Sequence, residues 1–128
     1  KTDAQASDSA KSALEKIIFE VRAAKGIYTP TTSSSQLSLE TTRYLPTGET
    51  TSYIDFFLCD FRICIKKEGE NPVALTSNDV VVSGVAFTTI TNDDAESVQI
   101  SITASYANAE YAVSSSETLT STASLRNY

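Results

Sequence analysis

The sequence predicts an α+β fold in which one N-terminal amphipathic helix packs on an antiparallel β-sheet meander. Apolar residues recur at helical spacing in the first 26 residues, and from residue 36 onward they alternate with polar residues, as in half-buried strands. No strand–helix–strand spacing follows, which argues against a doubly wound nucleotide-binding sheet. A chain of 128 residues is enough for one domain with its own core and too short for two. We therefore expect a single domain over 1–128, with the helix in 1–26 and the β-sheet region in 36–127.

The helix is predicted from one apolar stripe that spans an arc of about 100° at 100° per residue. Its members are Ala6, Ala10, Ala13, Leu14, Ile17, Val21 and Ala24. We expect Leu14, Ile17 and Val21 at the centre of the contact with the sheet. Phe19 points almost directly away from the stripe, so we expect its side chain to be more exposed than those of Ile17 and Val21. Gly26 is a natural residue to end the helix, and Pro30 supports that end.

The strands are predicted from short apolar alternations separated by turn residues. They cover residues 36–40, 51–59, 62–67, 79–90, 98–106 and, more weakly, 118–125. The second and third of these form a hairpin. Gly84 inside the long fourth strand indicates a β-bulge. Polar turns are expected at residues 45–48 and 91–96.

Charge is distributed unevenly along the chain. Residues 1–67 carry nine bases and eight acids, whereas residues 68–128 carry one base, Arg126, and eight acids. The second half therefore has a net charge of −7, which would repel a nucleic acid backbone or an anionic membrane surface. A solvated acidic face explains this pattern, and an acidic patch for a basic partner surface is the alternative.

The residues that usually carry enzyme chemistry are missing. The chain has no His, which removes the commonest general base and metal ligand, and its four glycines are isolated, so no phosphate-binding loop is present. Asp55 and Asp60 are candidates for paired carboxylates, and residues 92–96 are a candidate calcium loop, but a solvated face and a plain polar turn explain them better. We expect no enzyme activity, no catalytic residues, no metal and no cofactor.

Cys59 and Cys64 are the only cysteines, with four residues between them. With no His and no second Cys pair, a zinc site is not expected, and a common redox motif has two residues between its cysteines rather than four. We expect a disulfide formed outside the cytoplasm, and two buried free thiols remain the alternative. A two-residue turn at Asp60 and Phe61 would leave the cysteines diagonal on one face, and a four-residue turn would place them directly opposite.

The order of these parts resembles the soluble domain of a type IV pilin-like protein, a minor pilin or pseudopilin with a prepilin-type N-terminus. Residues 10–27 are similar to the second half of a pilin helix. Residues 71–80, with Leu75, Thr76 and Ser77, are similar to the start of a strand in these proteins. Residues 122–127 are similar to their Leu-Arg-Asn ending. The resemblance runs from about residue 6 to residue 127.

The resemblance implies a structural subunit of a type IV pilus or type II secretion-like filament. Family members begin with a leader, a cleavage site and about 20 apolar residues, which this chain lacks, as it also lacks Met. We therefore expect a processed or truncated chain whose full-length form is extracytoplasmic and membrane-anchored or in a cell-surface filament. The partners implied are other pilin or pseudopilin subunits, and the isolated domain should be monomeric. A secreted or cell-surface binding or adhesion domain is the alternative function.

Two groups of residues are candidates for subunit contacts. The helix presents Phe19 and the bases Lys11, Lys16 and Arg22. The acidic half presents Asp93, Asp94 and Glu96, with the loop at residues 68–70 as a second candidate. Because subunits of a helical filament place different patches against each other, opposite charges on the two patches would favour the correct register.

Overall fold

A computed structural model describes residues 2–92, 95–106 and 116–125 as one helix and eight strands. The helix α1 covers Thr2–Ala23 and ends before Gly26, which lies in the first strand. The strands are β1 Gly26–Ile27, β2 Gln36–Thr41, β3 Ser52–Cys59, β4 Arg62–Lys67, β5 Val73–Ala74, β6 Val80–Asn92, β7 Ala95–Tyr106 and β8 Ser116–Ser124.

The strands form two separate antiparallel sheets. The first sheet has the order β1-β2-β3-β4-β5, and the second has the order β6-β7-β8. Within each sheet, every strand pairs with the strand that precedes or follows it in the chain, so each sheet is a meander. Phe56 is the central inner residue of the first sheet, opposite Leu37 on one side and Ile65 on the other. Ile100 is the corresponding central inner residue of the second sheet, where it lies opposite Phe87.

The predicted fold class is wrong. Strands dominate the chain, and they form two sheets rather than the single meander that was expected to carry the helix in a pilin-like α+β arrangement. The physical reason is that alternation identifies which side chains of a strand are buried and does not identify the sheet to which the strand belongs. The connection between residues 74 and 80 starts a new sheet, although the sequence there differs little from an ordinary turn.

One hydrophobic core joins the helix to both sheets. Helix α1 lies over β7 and β8 of the second sheet. Ile17 and Val21 are fully buried in the same cluster as Phe56 and Ile100. Burial of each such side chain contributes roughly 1.5–3 kcal/mol to folding.

Strand β6 connects the two sheets. Its Val82 N–H donates to the carbonyl oxygen of Phe61 at 2.8 Å, and its Phe87 N–H donates to the carbonyl oxygen of Ser34 at 2.9 Å. The register of β6 against β7 shifts between Val82 and Gly84, which is the irregularity expected near Gly84. Hydrogen bonds from the first sheet region therefore cover part of the free edge of β6.

The β3–β4 hairpin closes through two residues, Asp60 and Phe61, that both have a left-handed backbone, with φ values of 50° and 58°. This conformation is the usual one for a two-residue hairpin turn, where Asn and Gly are favoured because a Cβ atom strains it. Phe61 keeps its side chain 65% exposed at the tip. The hairpin therefore displays a large apolar side chain from a strained position.

Candidate docking site on the N-terminal helix

Phe19 is a half-exposed aromatic residue on the outer face of α1. Its side chain is 50% exposed, whereas Ile17 and Val21, two residues away on either side, are fully buried. The Arg43 guanidinium carbon lies 4.8 Å from the centre of the Phe19 ring, and the Lys16 Nζ lies 5.9 Å from it. Both distances are in the range in which a cation is attracted to an aromatic face. Phe19 is therefore held in place by two cations while half of it faces solvent.

Glu20 is a buried carboxylate beside Phe19, with a side chain that is 0% exposed. Three groups donate to it: Lys16 Nζ at 2.8 Å, Arg43 Nε at 3.0 Å and the Tyr44 hydroxyl at 2.5 Å. Burial raises the pKa of Glu20, but the hydrogen bonds from Lys16 and Tyr44 and the charges of Lys16 and Arg43 outweigh it, so the pKa lies below its ordinary value. Glu20 is therefore ionised at neutral pH and fixes all three donors.

Tyr44 reaches Glu20 from the loop over residues 42–51, and its backbone is left-handed with a φ of 58°. Its hydroxyl also accepts hydrogen bonds from Lys16 Nζ at 3.0 Å and Arg43 Nη2 at 2.9 Å. The Arg43 N–H donates to Thr41 Oγ1 at 3.1 Å, which ties the start of the loop to the end of β2. A non-glycine residue with this φ is strained, and the network on its hydroxyl offsets that strain.

Lys67 at the end of β4 completes the group, because its Nζ lies 4.1 Å from the centre of the Tyr44 ring. We call Lys16, Phe19, Glu20, Arg43, Tyr44 and Lys67 the helix cluster. It contains three cations and one carboxylate, a net charge of +2. Lys67 forms no ion pair within the described part of the chain. The helix cluster thus offers an apolar ring bordered by positive charge, which suits a partner with an apolar side chain and acidic neighbours.

The structure places the predicted contact residues of the helix in different environments. Lys11 and Arg22 are exposed. Lys16 donates to Glu20; burial alone would lower the pKa of Lys16, but its hydrogen bonds to Glu20 and Tyr44 and the charge of Glu20 outweigh that effect, so the net shift is upward. Lys25, another base of this region, lies 3.9 Å from Glu40 and donates to Thr51. The freely presented charge of the helix is therefore smaller than the sequence indicates.

The predicted acidic contacts are only partly described. Asp93 and Asp94 lie outside the described residues. Glu96 is half-buried in β7, where its carbonyl oxygen accepts from the Leu125 N–H at 3.0 Å. Glu68 and Glu70 are exposed in the loop between β4 and β5. The loop at residues 68–70 therefore provides an exposed acidic surface.

Cys59 and Cys64 are joined in a disulfide, which is compatible with the expected bond. Their Cα atoms are 6.0 Å apart, within the usual range for a disulfide. Cys59 is opposite Arg62 in the hairpin register, so the turn has two residues and the bridge is diagonal. The bond clamps the hairpin immediately behind Asp60 and Phe61.

The candidate carboxylate pair is not brought together. Asp55 lies within β3 opposite Lys66, and Asp60 lies at the hairpin tip. From Asp55 to the end of β3 at Cys59 the strand alone spans roughly 13 Å, which is beyond the separation that glycoside hydrolysis uses. Among the described residues no cluster of three or more metal-ligating side chains occurs. Residues 92–96, where the sequence favours a polar turn over a calcium loop, include Asp93 and Asp94, which lie outside the described residues.

No helix within the described ranges combines the length and the apolar character that crossing a membrane requires.

Sequence reasoning missed four members of the helix cluster: Glu20, Arg43, Tyr44 and Lys67. The spacing of Lys16 and Glu20 by four residues was a readable signal, because such pairs meet on one helix face. The contribution of Arg43 and Tyr44 was not readable, because it depends on how the loop after β2 returns to the helix.

Comparison with known proteins adds no relative: no family model, no curated protein and no solved structure matches this chain.

Proposed function

We propose that this protein is a structural, non-enzymatic subunit of a filament of the type IV pilus or type II secretion class, a minor pilin or pseudopilin. The observation that carries the proposal is Phe19, an aromatic ring left half exposed on α1 and in contact with the cations of Lys16 and Arg43. An aromatic residue beside an arginine, on a rigid element, has the composition of a binding hot spot. The sequence resemblance supplies the class of assembly.

The fixed position of Phe19 favours docking. Glu20 and Tyr44 hold Lys16 and Arg43 in place, so few rotamers remain to be lost when a partner covers the ring. Burying the remaining half of the Phe19 side chain would contribute about 1 kcal/mol. This is too little for a stable complex on its own, so it serves to select the register within a larger assembly.

Charge supports a head-to-tail contact. The helix cluster is positive, and the loop carrying Glu68 and Glu70 is acidic and exposed. Lys67 of the helix cluster directly precedes Glu68 in the chain, whereas the other members of the cluster come from α1 and the loop after β2. Contact between the helix cluster of one subunit and the acidic loop of the next is heterologous and propagates along a filament. Exposed pairs of this kind are worth about 1 kcal/mol or less each and are screened by salt.

In this proposal the main driving force is an apolar segment upstream of Lys1, which the resemblance supplies and which would anchor the protein in a membrane. The protein would then function outside the cytoplasm, with other pilin or pseudopilin subunits as its partners. The 128-residue domain on its own would be monomeric at micromolar concentration. Determining the sequence upstream of Lys1 tests the anchor directly.

The functional test compares two phenylalanines in the full-length protein in its own host. Phe19→Asn removes the exposed ring of the helix cluster, and Phe61→Asn makes the same change at a still more exposed ring on the hairpin tip. We expect Phe19→Asn to reduce filament formation or secretion several-fold and Phe61→Asn to leave it unchanged, with both proteins folded by circular dichroism.

Normal assembly by the folded Phe19→Asn protein would overturn the docking role of Phe19. If cells that lack the whole gene assemble filaments normally but lose surface binding, that result would instead support the adhesion-domain alternative.

A further inference from the structure

Strand β8 has an outer edge with which no strand pairs in the described ranges. It covers nine residues and pairs along its inner edge with β7 over Ser97–Ser124 through Ser105–Ser116. Such an edge presents unpaired backbone N–H and C=O groups, which can pair with another strand.

The composition of β8 does not protect this edge. Proteins commonly block edge strands with Lys, Pro or a bulge. Strand β8, with the sequence Ser-Glu-Thr-Leu-Thr-Ser-Thr-Ala-Ser, has no Lys, no Arg and no Pro, and its register with β7 is continuous. Its one charge is Glu117. The strand is also rich in Thr, which favours β structure.

The outer face of the second sheet carries rows of hydroxyl groups. Three cross-strand pairs join β7 to β8: Ser97 with Ser124 at 2.8 Å, Ser101 with Thr120 at 3.2 Å, and Thr103 with Thr118 at 2.9 Å. On β8 the hydroxyl-bearing residues of this face are all exposed; they are Ser116, Thr118, Thr120, Thr122 and Ser124. These hydroxyl pairs would continue onto a strand added beside β8 if the residues of that strand on the same face also carried hydroxyl groups.

We propose that the outer edge of β8 pairs with β8 of a second copy of this chain, antiparallel and centred on Thr120. This is the register that pairs all nine residues of the strand. It places Thr120 opposite the Thr120 of the partner subunit and Thr118 opposite the Thr122 of the partner subunit, so hydroxyls meet hydroxyls. Glu117 comes opposite the Ala123 of the partner subunit, so the two copies bring no like charges into register.

The helices leave room for this pairing. Helix α1 lies over β7 and β8, on the face opposite the hydroxyl rows. With strands about 4.8 Å apart, a two-fold axis beside β8 puts the two helices about 10 Å apart, which is an ordinary helix packing distance. The pair buries little surface, because nine residues of strand are only about 30 Å long, and is therefore weak.

This contact differs in kind from the filament contact and does not depend on it. A two-fold contact uses the same surface on both subunits, so it closes on itself and cannot propagate a filament. It would instead join two subunits side by side, or two filaments along their sides, where many copies make a weak contact effective.

Cysteine cross-linking under mild oxidation tests the register, using the 128-residue protein with its native disulfide. Opposite residues in an antiparallel pair have Cβ atoms within reach of a disulfide, so Thr120→Cys should cross-link with itself at about 1 mM protein. Thr118→Cys and Thr122→Cys alone should cross-link at least about tenfold more slowly, because equivalent residues are then about 13 Å apart. An equimolar mixture of Thr118→Cys and Thr122→Cys should cross-link about half as fast as Thr120→Cys and well above either variant alone, because about half of its pairs combine the two variants and bring their cysteines opposite each other.

Equal rates for all single variants, or no cross-link at that concentration, would overturn the proposal. Amide hydrogen exchange of the unmodified protein gives a second readout that needs no substitution. When the protein concentration is raised from about 10 μM to about 1 mM, the β8 amides that point to the outer edge should exchange more slowly. The exchange rates of the β3 amides should not change. Unchanged exchange in β8 would also contradict the pairing.

Discussion

The Tyr44 hydroxyl donates to the buried carboxylate of Glu20 at 2.5 Å, although 24 residues of sequence separate the two. The left-handed backbone of Tyr44 positions its side chain for this contact. The bond fastens the loop after β2 to the outer side of α1. Lys16 and Arg43 bind the same carboxylate, so the loop and the helix hold each other in one arrangement. Phe19 lies at the surface of this arrangement, and the network therefore determines how the ring is presented.

Replacing Glu20 by Gln should destabilise the protein by about 1–3 kcal/mol at pH 7, because two cations and a hydroxyl lose a charged acceptor. The pKa of Glu20 is lowered by folding, so its stabilising contribution is complete above 4.5, the ordinary value, and is lost as the pH falls through the folded pKa. Denaturant melts from pH 7 to pH 3 should show the difference between wild type and variant shrinking in acid. Glu15→Gln, an exposed change on the same helix, should stay within about 0.5 kcal/mol of wild type. A constant difference across this range would contradict the role of the carboxylate.

Replacing Tyr44 by Phe should cost about 1–2 kcal/mol, because the ring stays and the hydroxyl that bonds Glu20, Lys16 and Arg43 is removed. Combined with Glu20→Gln, the two losses should not add, with a coupling energy of at least about 0.5 kcal/mol. Urea melts of the four proteins in this double-mutant cycle give the value. Additive losses would mean that the two residues act independently.

Replacing Ile17 by Ala should cost about 2–5 kcal/mol, through lost burial and the cavity left between α1 and the second sheet. Ile17 is 0% exposed in the shared core. Its matched control is Ile90→Ala, at an exposed isoleucine of β6, which should cost less than about 1 kcal/mol. Urea melts of the two variants and the wild type measure both losses of unfolding free energy. A loss below about 1 kcal/mol for Ile17→Ala would show that the helix does not pack there.

The disulfide should be detected by intact-mass analysis after alkylation without reductant, which should label neither Cys59 nor Cys64. With reductant, both should be labelled. Because the bridge closes a short loop, replacing both cysteines by Ser should cost about 2 kcal/mol, at the low end of the usual effect. Two labelled thiols in the unreduced protein would contradict the bond.

The sequence predicted the elements that depend on local periodicity. The stripe of Leu14, Ile17 and Val21 is buried, and the hairpin of β3 and β4 lies where the alternation placed it. Phe19 is exposed, as its position on the helical wheel indicates. These features follow from the repeat of 3.6 residues in a helix and of two in a strand.

The division into two sheets and the helix cluster could not be predicted in this way. The short strands β1 and β5 have two residues each, too few to show alternation. Glu20 is charged, and its burial depends on Arg43 and Tyr44, whose approach is set by a loop with a left-handed residue. Such long-range contacts leave no periodic trace in the sequence.

The most direct test of the proposed function is site-specific photocross-linking of the full-length protein in its host. A benzoylphenylalanine placed at position 19 should, on illumination, form an adduct with a second filament subunit, because the account puts a neighbour against this ring. The same probe at position 61, on the exposed hairpin tip, should form no such adduct. Adducts of equal yield at both positions, or none at position 19 in cells that assemble the filament, would contradict the docking of subunits through Phe19.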